Sequence, residues 1–260
     1  MRNYWMFYAV SMQEFIAYRL SLVFEFLGLL IKTLLVFSFW SVFVKNGNHA
    51  GFESSNEVLG YMVVAAILPT IISSEAGVNL GKRILSGDIA TDLIKPYNTI
   101  VMLSVKSLFF NIFKFILFFI PIVTLYNSLG LISIKPQNIL LFIVSISLAT
   151  LTMLLLYLFI GMISFWTENW WGIKILFDGI ITFFSGAIIP ITFFPKWLQS
   201  LNSFLPFQYT IFLPSKLLIT KSGVEFWMAI LPQLVWIFVL VVIFYVTWRF
   251  ALRRLVIFGG

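Results

Sequence analysis

Apolar residues in this chain gather into long runs separated by short polar connections, rather than alternating as they would along strands. Six runs stand out, at residues 20–44, 58–78, 100–126, 139–165, 172–189 and 226–248. A bilayer core calls for roughly 20 apolar residues of helix, so each run is read as a membrane span. Pro69 falls near the centre of the second run and predicts a kink there. Residues 1–19 are different. Trp5, Ala9, Met12 and Ile16 follow a helical stripe while Ser11, Glu14 and Tyr18 take another face, which predicts a helix lying in the headgroup layer. Trp166-Thr-Glu-Asn-Trp-Trp171 reads as an interfacial turn, because tryptophan favours the water boundary.

Two segments break the pattern. Residues 190–214 are apolar yet hold Pro190, Pro195, Pro206 and Pro214. Irregular backbone is not tolerated facing lipid, so this segment is expected to form short broken helices, shielded by protein or lying at an interface. Residues 81–97 are the opposite case, a polar island between two spans, carrying Lys82, Arg83, Asp88, Asp92 and Lys95. Ser86 or Asp88 suits a helix cap, Leu85, Ile89 and Leu93 recur at i, i+4 and i+8, and Pro96 stops the helix. The spacing predicts about two turns of amphipathic helix held tightly between spans.

The composition agrees with a membrane protein. Of 260 residues 61% are hydrophobic and 10% charged, against about a quarter charged in soluble domains, and no stretch is polar enough for a separate soluble domain. The net charge of +7 does not point to nucleic acid, since no basic cluster exceeds Lys82-Arg83 or Arg253-Arg254. Basic residues beside spans instead set orientation. With six spans one side holds Arg2, Arg19, Lys82, Arg83, Lys95, Lys174, Arg249, Arg253 and Arg254, which is every arginine present. The termini and the polar island are therefore expected in the cytoplasm. The aromatic start, with no small-residue cleavage site close behind it, predicts that no signal peptide is removed.

No engine is visible in the chain. Gly77-Val-Asn-Leu-Gly81-Lys82 lacks one residue between its glycines and a Ser/Thr after the lysine, so it is no phosphate loop; the glycines fit close helix packing. His49, the single histidine, sits in a polar loop without a ligand partner at metal spacing, and one loop histidine is a poor base for a serine triad. Cysteine is absent, and no carboxylates pair at catalytic spacing. Neither a catalytic nor a metal site is expected, which also weakens the reading of a lipid-modifying enzyme.

Charges inside the spans are the remaining candidates, because each is expensive there and tends to face protein or water. Lys174 and Asp178 are four apart and predict an internal ion pair. Lys106, Asn111 and Lys114 share half of the third span's surface, and Glu75 with Asn79 lies one turn apart near the inner end of the second. For Glu25, Lys32 and Lys114, internal pairing and a transport pathway both stay open. Glu25, Lys32, Asp178 and the broken segment are also what an ion-gradient-driven secondary transporter would use, although no repeat between the halves supports one.

Together these features resemble the permease subunit of a type-2 ABC exporter, in its subgroup with six spans and no large extracellular domain. The start of the chain looks like that family's connecting helix. The form Gly87-Asp-Ile-x-x-Asp-Leu-Ile-Lys-Pro96 resembles its coupling helix, and Pro190-Ile-Thr-Phe-Phe-Pro195-Lys-Trp197, continuing to Pro206, its extracellular re-entrant helices. The resemblance implies an all-α membrane protein and no cofactor in this chain. It implies two cytoplasmic ABC ATPases carrying ATP and Mg, a second permease subunit, identical or a sister chain, and contact with membrane lipid. It also implies that Lys82, Arg83, Leu85, Asp88, Ile89, Asp92 and Leu93 meet the ATPase, the three apolar residues filling a cleft there. The cargo would be hydrophobic or amphipathic, moved out across the cytoplasmic membrane.

Overall fold

The computed structural model describes residues 19–44, 51–134, 136–220 and 226–253, and every regular element among them is helical. The expected surface helix before residue 19, His49 and Arg254 lie outside the described residues. Five helical stretches are long and apolar enough to cross a membrane: Arg19–Val44, Ser55–Leu85, Thr99–Ser128, Pro136–Phe165 and Trp227–Leu252.

Helix α1 (Arg19–Val44) buries only Leu29, Thr33, Trp40 and Val44, leaving the rest of its apolar surface for lipid or another chain. Its neighbour α2 (Ser55–Ile71) is apolar all round and buried all round, from Glu57 to Leu68 without interruption. It packs mainly against α1, while the helix at Pro136–Met162 gathers most of the other elements. Ser54 caps it, accepting a hydrogen bond from Glu57 N–H (3.3 Å), while the Glu57 carboxylate accepts from Glu53 N–H (3.1 Å).

The second span is two helices, not one kinked helix. Pro69 withdraws a backbone donor, α2 stops two residues later, and α3 (Glu75–Leu85) begins after an interruption at residues 72–74. At the interruption Ser74 and Ser107 share a hydroxyl–hydroxyl bond of 3.2 Å. Gly87, at φ +80, then turns the chain into α4 (Asp88–Leu93). Lys82, Arg83 and Leu85 thus finish α3 instead of opening the island helix.

The third span is likewise composite: α5 (Thr99–Lys114), one π-helical turn (Phe115–Phe119) and α6 (Ile120–Ser128). Asn98 caps α5 through Ile100 and Val101 N–H. Pro121 offers no N–H, and the turn before it widens so that Ile120 N–H bonds Phe115 five residues back. The wide turn is stiffened by stacking of Phe119 on Phe115 and on Phe142 of α7 (Pro136–Met162).

Helix α8 (Trp170–Phe184) is shorter than the apolar run at residues 172–189. It has 15 residues, about 22 Å at 1.5 Å per residue. It ends because Gly186 takes φ +82, and its last carbonyls are satisfied from three directions. Asn202 Nδ2 donates to Phe184 O (2.9 Å), Phe212 N–H to Ser185 O (2.9 Å), and the buried Tyr61 hydroxyl to Gly186 O (2.7 Å). The proline-rich segment does form short helices: a 3₁₀ turn at Ile191–Phe193, α9 (Lys196–Ser203), a second turn at Phe207–Tyr209 and α10 (Phe212–Ile219). Helix α11 (Phe226–Leu252) closes the bundle against α7, where Gln233 Nε2 donates to Ser145 O (3.0 Å) and Tyr209 O (2.8 Å).

Gly186→Ala is expected to cost about 2 kcal/mol, since the new methyl group meets both a left-handed backbone and the Tyr61 hydroxyl. Thermal unfolding in detergent measures it, and Tyr61→Phe, which keeps the ring, should cost about half as much.

Candidate functional site

The corner made by the end of α3, α4 and residues 94–97 is built around one carboxylate. Asp92 is 1% exposed, and both its oxygens are used: Arg83 Nη1 binds Oδ2, and Lys95 Nζ lies 2.6 Å from Oδ1. The Asp92 carboxylate raises the Lys95 ammonium above its ordinary pKa. Thr99, at the start of α5, donates to the Asp92 carbonyl at 3.4 Å. Ser86 Oγ donates to Asp88 Oδ2 (2.7 Å), holding the turn before α4. The corner is thus pinned to α3 on one side and α5 on the other.

This arrangement splits the apolar stripe expected from the sequence. Ile89 points inward, 1% exposed, into a small core with Leu80, Leu103, Leu154 and Leu158. The residues facing out are Leu85 (42%), Leu93 (46%) and Ile94 (85%). The reason is the break at Gly87: an i, i+4 pattern continues only along one helix, and Leu85 belongs to a different one from Ile89 and Leu93. Asp92 likewise braces the corner from inside, whereas Lys82 and Asp88 are exposed. Ile94 was missed because it adjoins Leu93 and falls off the stripe.

Behind the corner, α3 crosses α7 at very close range. A Cβ added to Gly77 would collide with the Tyr157 carbonyl, and one on Gly161 with the Gly77 carbonyl. One turn on, a Cβ at Gly81 would sit 2.9 Å from Ser164 Oγ. The Gly-x-x-x-Gly spacing therefore brings two backbones together, as small residues do between membrane helices.

Several charges within the spans are engaged. Glu25 Oε1 and Lys114 Nζ, on α1 and α5, pair at 2.6 Å. Lys32 Nζ donates to the Ala66 carbonyl (2.9 Å) in the turn of α2 that Pro69 weakens. Lys174 and Asp178 pair at 2.6 Å, Tyr157 donates to the same carboxylate (2.9 Å), and Lys174 also lies over the Trp171 ring. Beside the interruption, Ser73, Glu75, Asn79, Lys106, Ser107 and Asn111 line a polar cleft of about 10 Å³, room for one water. In the broken segment Pro190 and Pro206 are buried, Pro195 opens α9, and Trp197 is 68% exposed.

A family model described as "ABC-2 family transporter protein" matches residues 7–259. The chain belongs to the ABC-2 transporter family. No curated protein and no solved structure matches it. The ABC-2 chain is accordingly a multi-pass membrane permease and a transport component.

The Glu25–Lys114 pair bridges two spans of this permease. Glu25→Gln and Lys114→Gln should each cost about 2 kcal/mol, less than a fully buried pair because the Glu25 side chain keeps 33% of its exposure. The double variant should cost less than the sum, read as a double-mutant cycle on thermal unfolding.

Proposed function

We propose that this chain is the membrane half of an ATP-driven exporter, moving a hydrophobic or amphipathic cargo outward across the cell membrane. ATP with its Mg is hydrolysed on a separate cytoplasmic ABC ATPase, and two ATPases serve two permease subunits, identical or sister chains. The observation that carries this reading is the exposed aliphatic edge of Leu85, Leu93 and Ile94, set on a corner braced by Asp92. Such an edge suits an apolar cleft on a partner, with Lys82 and Asp88 beside it to set register. A push on α4 passes through the Asp92–Arg83 ion pair into α3, and from α3 through the Gly77–Gly161 crossing into α7.

In this reading α8 is the fifth crossing, continued by the short helices that follow it, and residues 190–214 lie on the outer side. Both termini are then cytoplasmic, in keeping with the side on which every arginine falls. Co-expression with an ABC ATPase, followed by reconstitution, tests the energy source. Export should need hydrolysable ATP and survive collapse of the proton gradient; export that follows the gradient alone would reject the proposal.

A further inference from the structure

Two hollows meet at one side chain. On one side of Asn111 is the tight polar cleft; on the other, a groove of about 380 Å³ runs between α5, the π-helical turn and α7. Ile112, Phe115, Ile143, Ile146 and Leu151 wall the groove, and Ile112 and Ile143, 59% and 47% exposed, form its open rim. Its volume is that of a small-ligand pocket, roughly 300 Å³ or more. Ser147 and Thr150, the lining hydroxyls, donate to the Ile143 and Ile146 carbonyls of their own helix, at 2.7 and 2.8 Å. Asn111 is different. It is 7% exposed, and its side-chain amide makes no hydrogen bond with any described residue. Unlike the enclosed hydroxyls of Tyr126 and Ser145, its amide atoms stay open to the two hollows, where a polar partner can reach them.

The surroundings define that partner. Asn111 lies twelve residues into the 30-residue span Thr99–Ser128, close to its middle, where a charged headgroup is expensive. The charged groups nearby already balance: Lys106 and Lys114 against Glu75 and Glu25, the last pair in contact at 2.6 Å. An added net charge would be unmatched. The groove itself is open to the side and apolar along its length.

We propose that this groove binds a neutral, single-chain amphiphile, its chain along Ile112 and Ile146 and an uncharged hydroxyl or carbonyl hydrogen-bonded to Asn111. A monoacylglycerol has this chemistry. The site stands on the cavity and the amide alone, independently of any ATPase.

Native mass spectrometry on the full chain in detergent, titrated with 1-monooleoylglycerol, tests it. Octadecene serves as a headless probe and oleoyl lysophosphatidylglycerol as an anionic one. The wild type should bind monooleoylglycerol saturably, and at least tenfold more tightly than either other probe. Asn111→Leu should weaken that binding tenfold or more while leaving octadecene unchanged, and Asn111→Ser should retain most of it. Ile146→Trp should fill the groove and abolish saturable binding, giving a check that does not depend on Asn111. Equal binding by wild type and Asn111→Leu, tighter binding of the anionic probe, or undiminished binding by Ile146→Trp would each overturn the assignment.

Discussion

Gly77→Ala is expected to be among the most damaging single-methyl changes in this protein, costing about 3 kcal/mol or more. The added carbon points at the Tyr157 carbonyl, which is backbone of a packed helix and has no rotamer through which to yield. Gly161→Ala meets the Gly77 carbonyl from the other side and should cost a similar amount. Both should lower the unfolding temperature in detergent and the amount of protein recovered from membranes. The control is Gly28→Ala on α1, where an added Cβ meets nothing within 4 Å. It should be within about 0.5 kcal/mol of neutral, or slightly stabilising through helix propensity. Should Gly77→Ala and Gly28→Ala melt together, the α3–α7 crossing is not where the bundle is held.

The second large effect separates a contact surface from its support. Replacing Leu85, Leu93 and Ile94 together by glutamate should leave unfolding almost unchanged, because all three side chains already face outward. Capture of the ATPase should fall by about a hundredfold or more, since burying even two such side chains contributes about 3 kcal/mol or more. Asp92→Ala should behave in the opposite way. It removes the anion shared by Arg83 and Lys95 and should loosen the corner by about 2 kcal/mol, less than for a wholly buried pair because both cations reach water (34% and 41% exposed). Ile89→Ala should follow Asp92→Ala, in stability rather than in direct contact, as expected of a residue 1% exposed.

Five of the six apolar runs coincide with helices long and apolar enough to cross a membrane, because hydropathy and length are averages over many residues, insensitive to where a helix bends. The sequence marks interruptions less well. Pro69 flags a disturbance, yet a kink and a full break read the same until Ser74 is seen bonded to Ser107. Pro121 gives no hint that the turn before it widens to π geometry. The 15-residue α8 is shorter than its apolar run because Ala187, Ile188 and Ile189 extend the run past the helix end; Gly186 ends the helix through its backbone angle. At the corner, the residue types were legible but their directions were not. One left-handed glycine put Ile89 and Asp92 inside and left Ile94 outside. The Lys174–Asp178 pair was readable because four-residue spacing is local, whereas Glu25–Lys114 joins residues that only tertiary packing brings together.

The central claim is that the Leu85–Leu93–Ile94 edge lies in the cytoplasm against an ATPase. The chain has no cysteine, so a single one placed at Ile94 reports without background. Ile94→Cys, co-expressed with the ATPase, is to be probed in intact cells with a membrane-impermeant maleimide and in opened membranes with a thiol cross-linker, with Trp197→Cys as the outward control. The expected result is protection of residue 94 in intact cells, labelling of residue 197, and a cross-link from residue 94 to the ATPase. Labelling of residue 94 from outside, or its failure to reach the ATPase, would contradict the account.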